Sequence, residues 1–150
     1  MCAMKTIYAA QSELMPALIE AYRKAIYRIE VGEQPFDLRV DQLSSGLSAL
    51  MQQREVHCCG LVTASNPRGQ VRDEADNARR HHHLLRCVDA LGYAHLTAWG
   101  LDPDERWPDE QSLLILGIPR PAACELAAEF EQNALLWMTG EAIPRLILLR

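Results

Sequence analysis

The stretch from Val56 to Ala98 constrains the fold of this chain more than any other part. Val56 to Ala64 is a compact apolar run without alternation, the pattern of a strand covered on both faces. Asn66-Pro67-Arg68-Gly69 breaks it. A helical pattern then runs from Glu74 to Leu91, with Gly92 placed to stop it as a left-handed cap. Ala94 to Ala98 is a short second strand. Strand, long helix, strand reads as a βαβ unit, which implies a right-handed parallel crossover.

The flanking segments add helices and hairpins. Ser12 precedes an amphipathic stretch in which Leu14, Leu18, Ile19, Tyr22 and Ile26 recur at helical spacing, with Pro16 early enough for a first turn. The period then changes to two: Tyr27, Ile29 and Val31 share one face, a Gly32-Glu33-Gln34-Pro35 turn follows, and Phe36, Leu38 and Val40 alternate again. Asp41 is the expected cap of a short helix burying Leu43, Leu47, Leu50 and Met51, which Gly46 weakens by ~1 kcal/mol relative to alanine. The inward stripe of the long helix is expected at Ala78, Leu84 or Leu85, Val88 and Leu91. After a polar loop from Trp99 to Gln111 come a strand over Ser112–Ile118, a helix opened by Pro121 and ending near Phe130, and strands over Ala134–Met138 and Arg145–Leu149. The expected fold is an α/β (α+β) single domain over residues 1–150. It has a mixed β-sheet with helices packed on it, one central βαβ unit and terminal hairpins.

Size and charge bound the function classes. A chain of 150 residues that is 49% hydrophobic buries enough surface to need no disulfide or structural metal. No apolar run approaches the ~18 residues of a membrane span, and Met1 is not followed by the long apolar core of a signal peptide. The five cysteines are an odd count without a Cys-x-x-Cys pair, as expected of reduced thiols in the cytoplasm. A formal charge of −5 argues against nucleic acid as partner, leaving a small molecule or another protein. The sequence sets no expectation of oligomeric state.

Five segments could carry chemistry. Thr63 to Gly69 leaves the carboxyl end of the first βαβ strand, where α/β sheets usually bind ligands. It lacks a Walker or dinucleotide glycine pattern, so no cofactor is expected. Asp73, Glu74 and Asp76 would also repel an anion from the following helix start. His81-His82-His83 invites a metal, but neighbours on a helix point about 100° apart. Even the better pair, His83 with Cys87, finds at most one or two partners among His57, Cys58 and Cys59, so a solvated histidine run and no metal are expected. Arg79, Arg80 and Arg86 could form a basic stripe, but acidic residues share their helix. The Trp99–Gln111 loop carries two indoles and several carboxylates, including Glu110, and Trp107 is expected to anchor it to the core. In Gln132-Asn133, Asn133 is expected to close a helix in the left-handed conformation, while Gln132 can recognise a polar partner.

Several residues together resemble the bacterial family known as domain of unknown function 3293. These are Tyr27, Leu38-Arg39, Thr63-Ala64-x-Asn66-Pro67, Asn77-Ala78-x-Arg80, Gly100, Asp102-Pro103, Trp107-Pro108-x-Glu110-x-Ser112-Leu113, Gly117 and Phe130-x-Gln132-Asn133-Ala134. The chain departs from that pattern at Ser65, where an aromatic is common, and at Glu131, where glycine is common. The resemblance implies one domain of this length and no assigned activity. Its polar residues supply the expected ligand-binding set: Thr63, Asn66, Asn77, Trp107, Gln132 and Asn133, with Glu110 as the acid or base of any catalysis. Asn66, Asn77, Glu110 and Gln132 are expected around one pocket at the carboxyl end of the central strand. The favoured reading is a non-catalytic domain that binds a small molecule or a partner. The alternative is an enzyme acting on a small polar substrate through Glu110.

Overall fold

A computed structural model describes residues 6–150; Cys2 lies outside them. The elements are α1 (Pro16–Lys24), β1 (Ile26–Ile29), β2 (Phe36–Leu38), α2 (Ser45–Arg54), β3 (Cys58–Thr63), α3 (Glu74–Leu91), β4 (His95–Leu101), β5 (Glu110–Leu116), α4 (Arg120–Glu129), β6 (Ala134–Thr139) and β7 (Arg145–Leu148). Short 3-10 turns lie at Ala9–Gln11 and Pro67–Gly69.

The seven strands form one sheet in the order β2-β1-β4-β5-β3-β6-β7. Both terminal hairpins form, β1 with β2 and β6 with β7. The mixed sheet expected from the βαβ unit takes a different form. β3 and β4 do run parallel, but β5 lies between them and is antiparallel to both, so every strand pair is antiparallel. β4 and β5 are joined by a short hairpin loop, and that local pairing places β5 in the gap the α3 crossover leaves open.

Helix ends follow local chemistry. Asp73 accepts from the Asp76 amide at 2.7 Å and Gly92 closes α3 at φ +84°, the bounds its sequence predicts. The cap of α2 is Ser44, whose hydroxyl accepts from Leu47 N at 3.1 Å, rather than Asp41. Asp41 sits at φ +63° and its carboxylate receives Arg145 at 2.9 Å, which leaves Leu43 exposed rather than buried. Gly46 answers to packing: a Cβ there would lie 2.6 Å from the Phe36 ring. At the end of α4, Glu131 rather than Asn133 takes the left-handed conformation, at φ +57°, the position where the resembling family commonly carries glycine.

Two apolar cores lie on opposite faces of the sheet. On one face, Leu84 and Val88 of α3 and Ala123, Leu126 and Ala127 of α4 pack on Val62, Leu113, Ile115 and Leu135. The expected Leu91 is exposed, because the stripe turns out of the interface before the helix ends. On the other face, Leu47, Leu50 and Met51 of α2 cover Cys59, Leu61, Leu114, Leu116, Leu136 and Met138. α2 covers only part of that face. Beside it, at the carboxyl ends of β3 and β4, α1 bridges the sheet and leaves a cavity beneath.

Candidate functional site: a cavity between α1 and the sheet

Strand register builds the cavity floor. Tyr27, Gly100 and Glu110 are direct neighbours across β1, β4 and β5, and in the next row Ala98, Ser112 and Thr63 are neighbours across β4, β5 and β3. Because side chains alternate along strands, these rows share one face. Small residues at positions 100 and 112 keep the floor low between Tyr27 and Glu110. The roof is Leu18, Ala21 and Tyr22 of α1 with Ala25, its C-cap, and Leu61, Leu136 and Leu146 supply apolar wall. The volume is about 110 Å³, on the order of eight waters. Tyr27 ties floor to roof, its hydroxyl donating to the Tyr22 carbonyl at 2.9 Å.

The expected site residues divide into two groups. Thr63, Asn66, Trp107, Glu110 and Gln132 all line this one cavity. Asn77 and Asn133 do not; they position residues that do. Asn77 Oδ1 accepts from Asn66 N at 3.0 Å, and its Nδ2 donates to Asn66 Oδ1 at 2.9 Å. Arg72 N donates to the same Asn66 Oδ1 at 2.8 Å. With two donors on its oxygen, the Asn66 side chain is fixed with its NH2 toward Glu110. Asn133 Nδ2 donates to the Tyr22 hydroxyl at 3.3 Å, holding the roof.

Most polar atoms around the cavity are already engaged. The Thr63 hydroxyl donates to Gln111 O at 2.8 Å and accepts from Ser65 N at 3.1 Å. The Gln132 amide donates to Ser65 O and Phe130 O at 3.0 and 3.2 Å. Arg80 donates to Ala64 O and Phe130 O at 2.6 and 2.7 Å, so it clamps the loop instead of joining a basic stripe. Arg79 pairs with Asp76. Asp102 gathers its own loop, accepting from the amides of Asp104, Arg106 and Trp107 at 2.9, 2.9 and 3.2 Å. These hydrogen bonds hold its pKa below the usual value. That turn places Trp107 on the cavity rim. It is 45% exposed there and is not the core anchor expected, because the loop is held by the Asp102 carboxylate instead.

Glu110 is the exception. It is half-buried, has no ionic partner among the described residues, and receives only the Asn66 side chain. Burial pushes its pKa up from 4.5 to about 7, against a smaller lowering from Asn66. Burial chiefly, with the Glu110 charge adding, raises the pKa of both Tyr22 and Tyr27.

The histidine run also splits. His81 is buried rather than solvated, with Nδ1 unpartnered and its pKa lowered by burial. Its position on α3 points it inward beside Leu84. His83 is exposed and meets Phe130 edge-on at 5.1 Å. Among the described residues, no three His, Cys, Asp or Glu side chains group as a metal site requires. Cys58, Cys59, Cys87 and Cys124 are free thiols, and the adjacent pair divides as strand alternation demands, Cys59 fully buried and Cys58 half-buried.

Residues 62–135 match the family model described as Protein of unknown function (DUF3293). Over this segment the chain is similar to that family. The DUF3293 segment is narrower than the motif resemblance, and leaves Tyr27 and Leu38-Arg39 outside. It contains Thr63, Asn66, Asn77, Trp107, Glu110, Gln132 and Asn133, while the α1 roof with Tyr22 lies outside it. No curated protein and no solved structure matches the chain. Sequence reasoning missed Tyr22, Tyr27 and Gly100 as cavity residues. Gly100 was legible in hindsight as a glycine inside a strand beside Asp102-Pro103, a mark of close approach.

Proposed function

We propose that this domain binds a small molecule in the cavity between α1 and the sheet, with Glu110 as its polar determinant. The observation that carries the reading is the accounting of polar atoms. The Thr63 hydroxyl, the Gln132 NH2 and the Asp102 carboxylate are engaged within the protein, whereas the Glu110 carboxyl has only the Asn66 side chain beside it. A largely apolar concavity with few convergent polar groups and one perturbed carboxyl is the usual form of a ligand site. The free thiols among the described residues support a reducing, cytoplasmic setting.

A thermal-shift screen of small metabolites against wild type and Gly100→Leu tests this. The added side chain would fill the floor between Tyr27 and Glu110, whose nearest atoms lie 3.8 Å from a Cβ at that position. Ligands that raise wild-type Tm and leave the variant unmoved support the cavity. Ligands that shift both alike place binding elsewhere and overturn it.

One observation favours a second reading, catalysis. A carboxyl with a pKa of about 7 exchanges protons readily at neutral pH, as a general acid or base must. Under that reading Glu110→Gln keeps binding of the identified ligand and abolishes its turnover.

A further inference from the structure

We propose that the cavity takes a small organic cation, an amine with an apolar body, with its ammonium group held against Glu110. This rests on the small-molecule reading above and adds the class of ligand. Among the described residues, the charged side chains lining the cavity are Asp102 and Glu110, both acidic, and no lysine, arginine or histidine lines it. Asp102 is turned into its own loop by three backbone amides. Among the described residues Glu110 is therefore the charge left facing the interior, and a buried carboxylate is stabilised by pairing.

Among the described residues, the groups packed around it offer no counter-charge. Tyr22 comes from α1, Tyr27 from β1, Asn66 from the loop after β3, and Ser112 from its own strand. None carries a positive charge. The Asn66 amide can share one carboxylate oxygen and leaves the other side of the group open to a donor. The remaining surface suits the rest of such a ligand. Tyr22, Tyr27 and Trp107 present aromatic rings, whose faces attract cations, and Leu61, Leu136 and Leu146 offer an apolar wall. At the mouth, Val71 and Trp107 are 59% and 45% exposed, an apolar rim for a tail that reaches outward. An anionic ligand would meet the Glu110 carboxylate without a cation to offset it, and would be disfavoured.

Binding is then linked to protons. The ammonium requires Glu110 in its charged form, so affinity rises as pH increases through the neutral range, and binding below it releases a proton. Calorimetric titration with benzylamine, benzyl alcohol and benzoate, which share a ring and differ in head group, separates the possibilities. At pH 8 the amine is expected to bind at least about tenfold tighter than the alcohol, and benzoate not at all. At pH 5.5 the amine should bind more than about tenfold more weakly than at pH 8, while the alcohol is unchanged. Glu110→Gln, isosteric and checked for fold by circular dichroism, should erase the amine's advantage. Alcohol or benzoate binding as tightly as the amine, or an amine advantage that survives in Glu110→Gln, overturns the cation and leaves the cavity reading standing. Failure of all three probes at millimolar concentration overturns the cation class. Binding equally strong in Gly100→Leu overturns the cavity reading itself.

Discussion

Replacing Glu110 by glutamine should make the protein more stable at alkaline pH. The carboxyl ionises near 4.5 in the unfolded chain and near 7 in the folded one. An acid whose folded pKa is raised contributes its full stability below the unfolded value and loses it as pH rises to the folded value. The window is therefore about pH 4.5 to 7. Across it the folded state loses on the order of 3 kcal/mol of stability through this one group. Glutamine keeps the shape and cannot ionise, so the variant should match wild type near pH 4.5 and exceed it by up to about 3 kcal/mol at pH 8. For a domain of this size that corresponds to roughly 6–10 °C in Tm. Urea titrations of both proteins at the two pH values measure it, and the difference of differences cancels every other titrating group. A variant no more stable than wild type at pH 8 would show that the carboxylate is solvated or paired, and the account of the cavity would be wrong.

The other predictions concern the frame. Asn77→Ala should cost about 1–3 kcal/mol in urea unfolding, because it strips partners from both the amide and the side chain of Asn66. It should weaken ligand binding as well, through the freed Asn66 side chain. Gly46→Ala should destabilise despite the ~1 kcal/mol gain in helix propensity, since the methyl meets the Phe36 ring; measured against a Phe36→Ala chain, the same substitution should cost less. Metal analysis of purified protein should find well under about 0.1 zinc per chain, because His83 and Cys87 have no third partner among the described residues.

Much of the fold was legible because its signals are local. The bounds of α3 follow from Asp73 and Gly92, and both terminal hairpins from alternation flanking a turn. Pairing partners were not legible. Apolar runs announce that β3, β4 and β5 are strands, but nothing in their period says that β5 separates the other two. The cap of α2 was misplaced because Asp41 and Ser44 carry the same capping chemistry, and only the distant Arg145 decides between them. Half of the site was readable for a related reason. Thr63 ends β3 and Asn66 follows it in the loop, the place where α/β sheets present ligand groups, and Glu110 opens β5 at the same edge. Asn77 and Asn133 carry the same amide yet serve as supports, a distinction made by hydrogen bonds between remote segments. The roof was hidden further. The spacing of Leu18 and Tyr22 on α1 marks a face that must be covered, without saying that the cover stops short of the sheet.

The central claim is that Glu110 sits in the cavity as a largely buried carboxyl without a cationic partner among the described residues. A pH titration followed by the carbon-13 shift of the Glu110 side-chain carboxyl, assigned by comparison with Glu110→Gln, reads that directly. The account predicts a midpoint at about 7 in the free protein, falling when benzylamine is added. A midpoint near 4.5 that ignores the amine would contradict it.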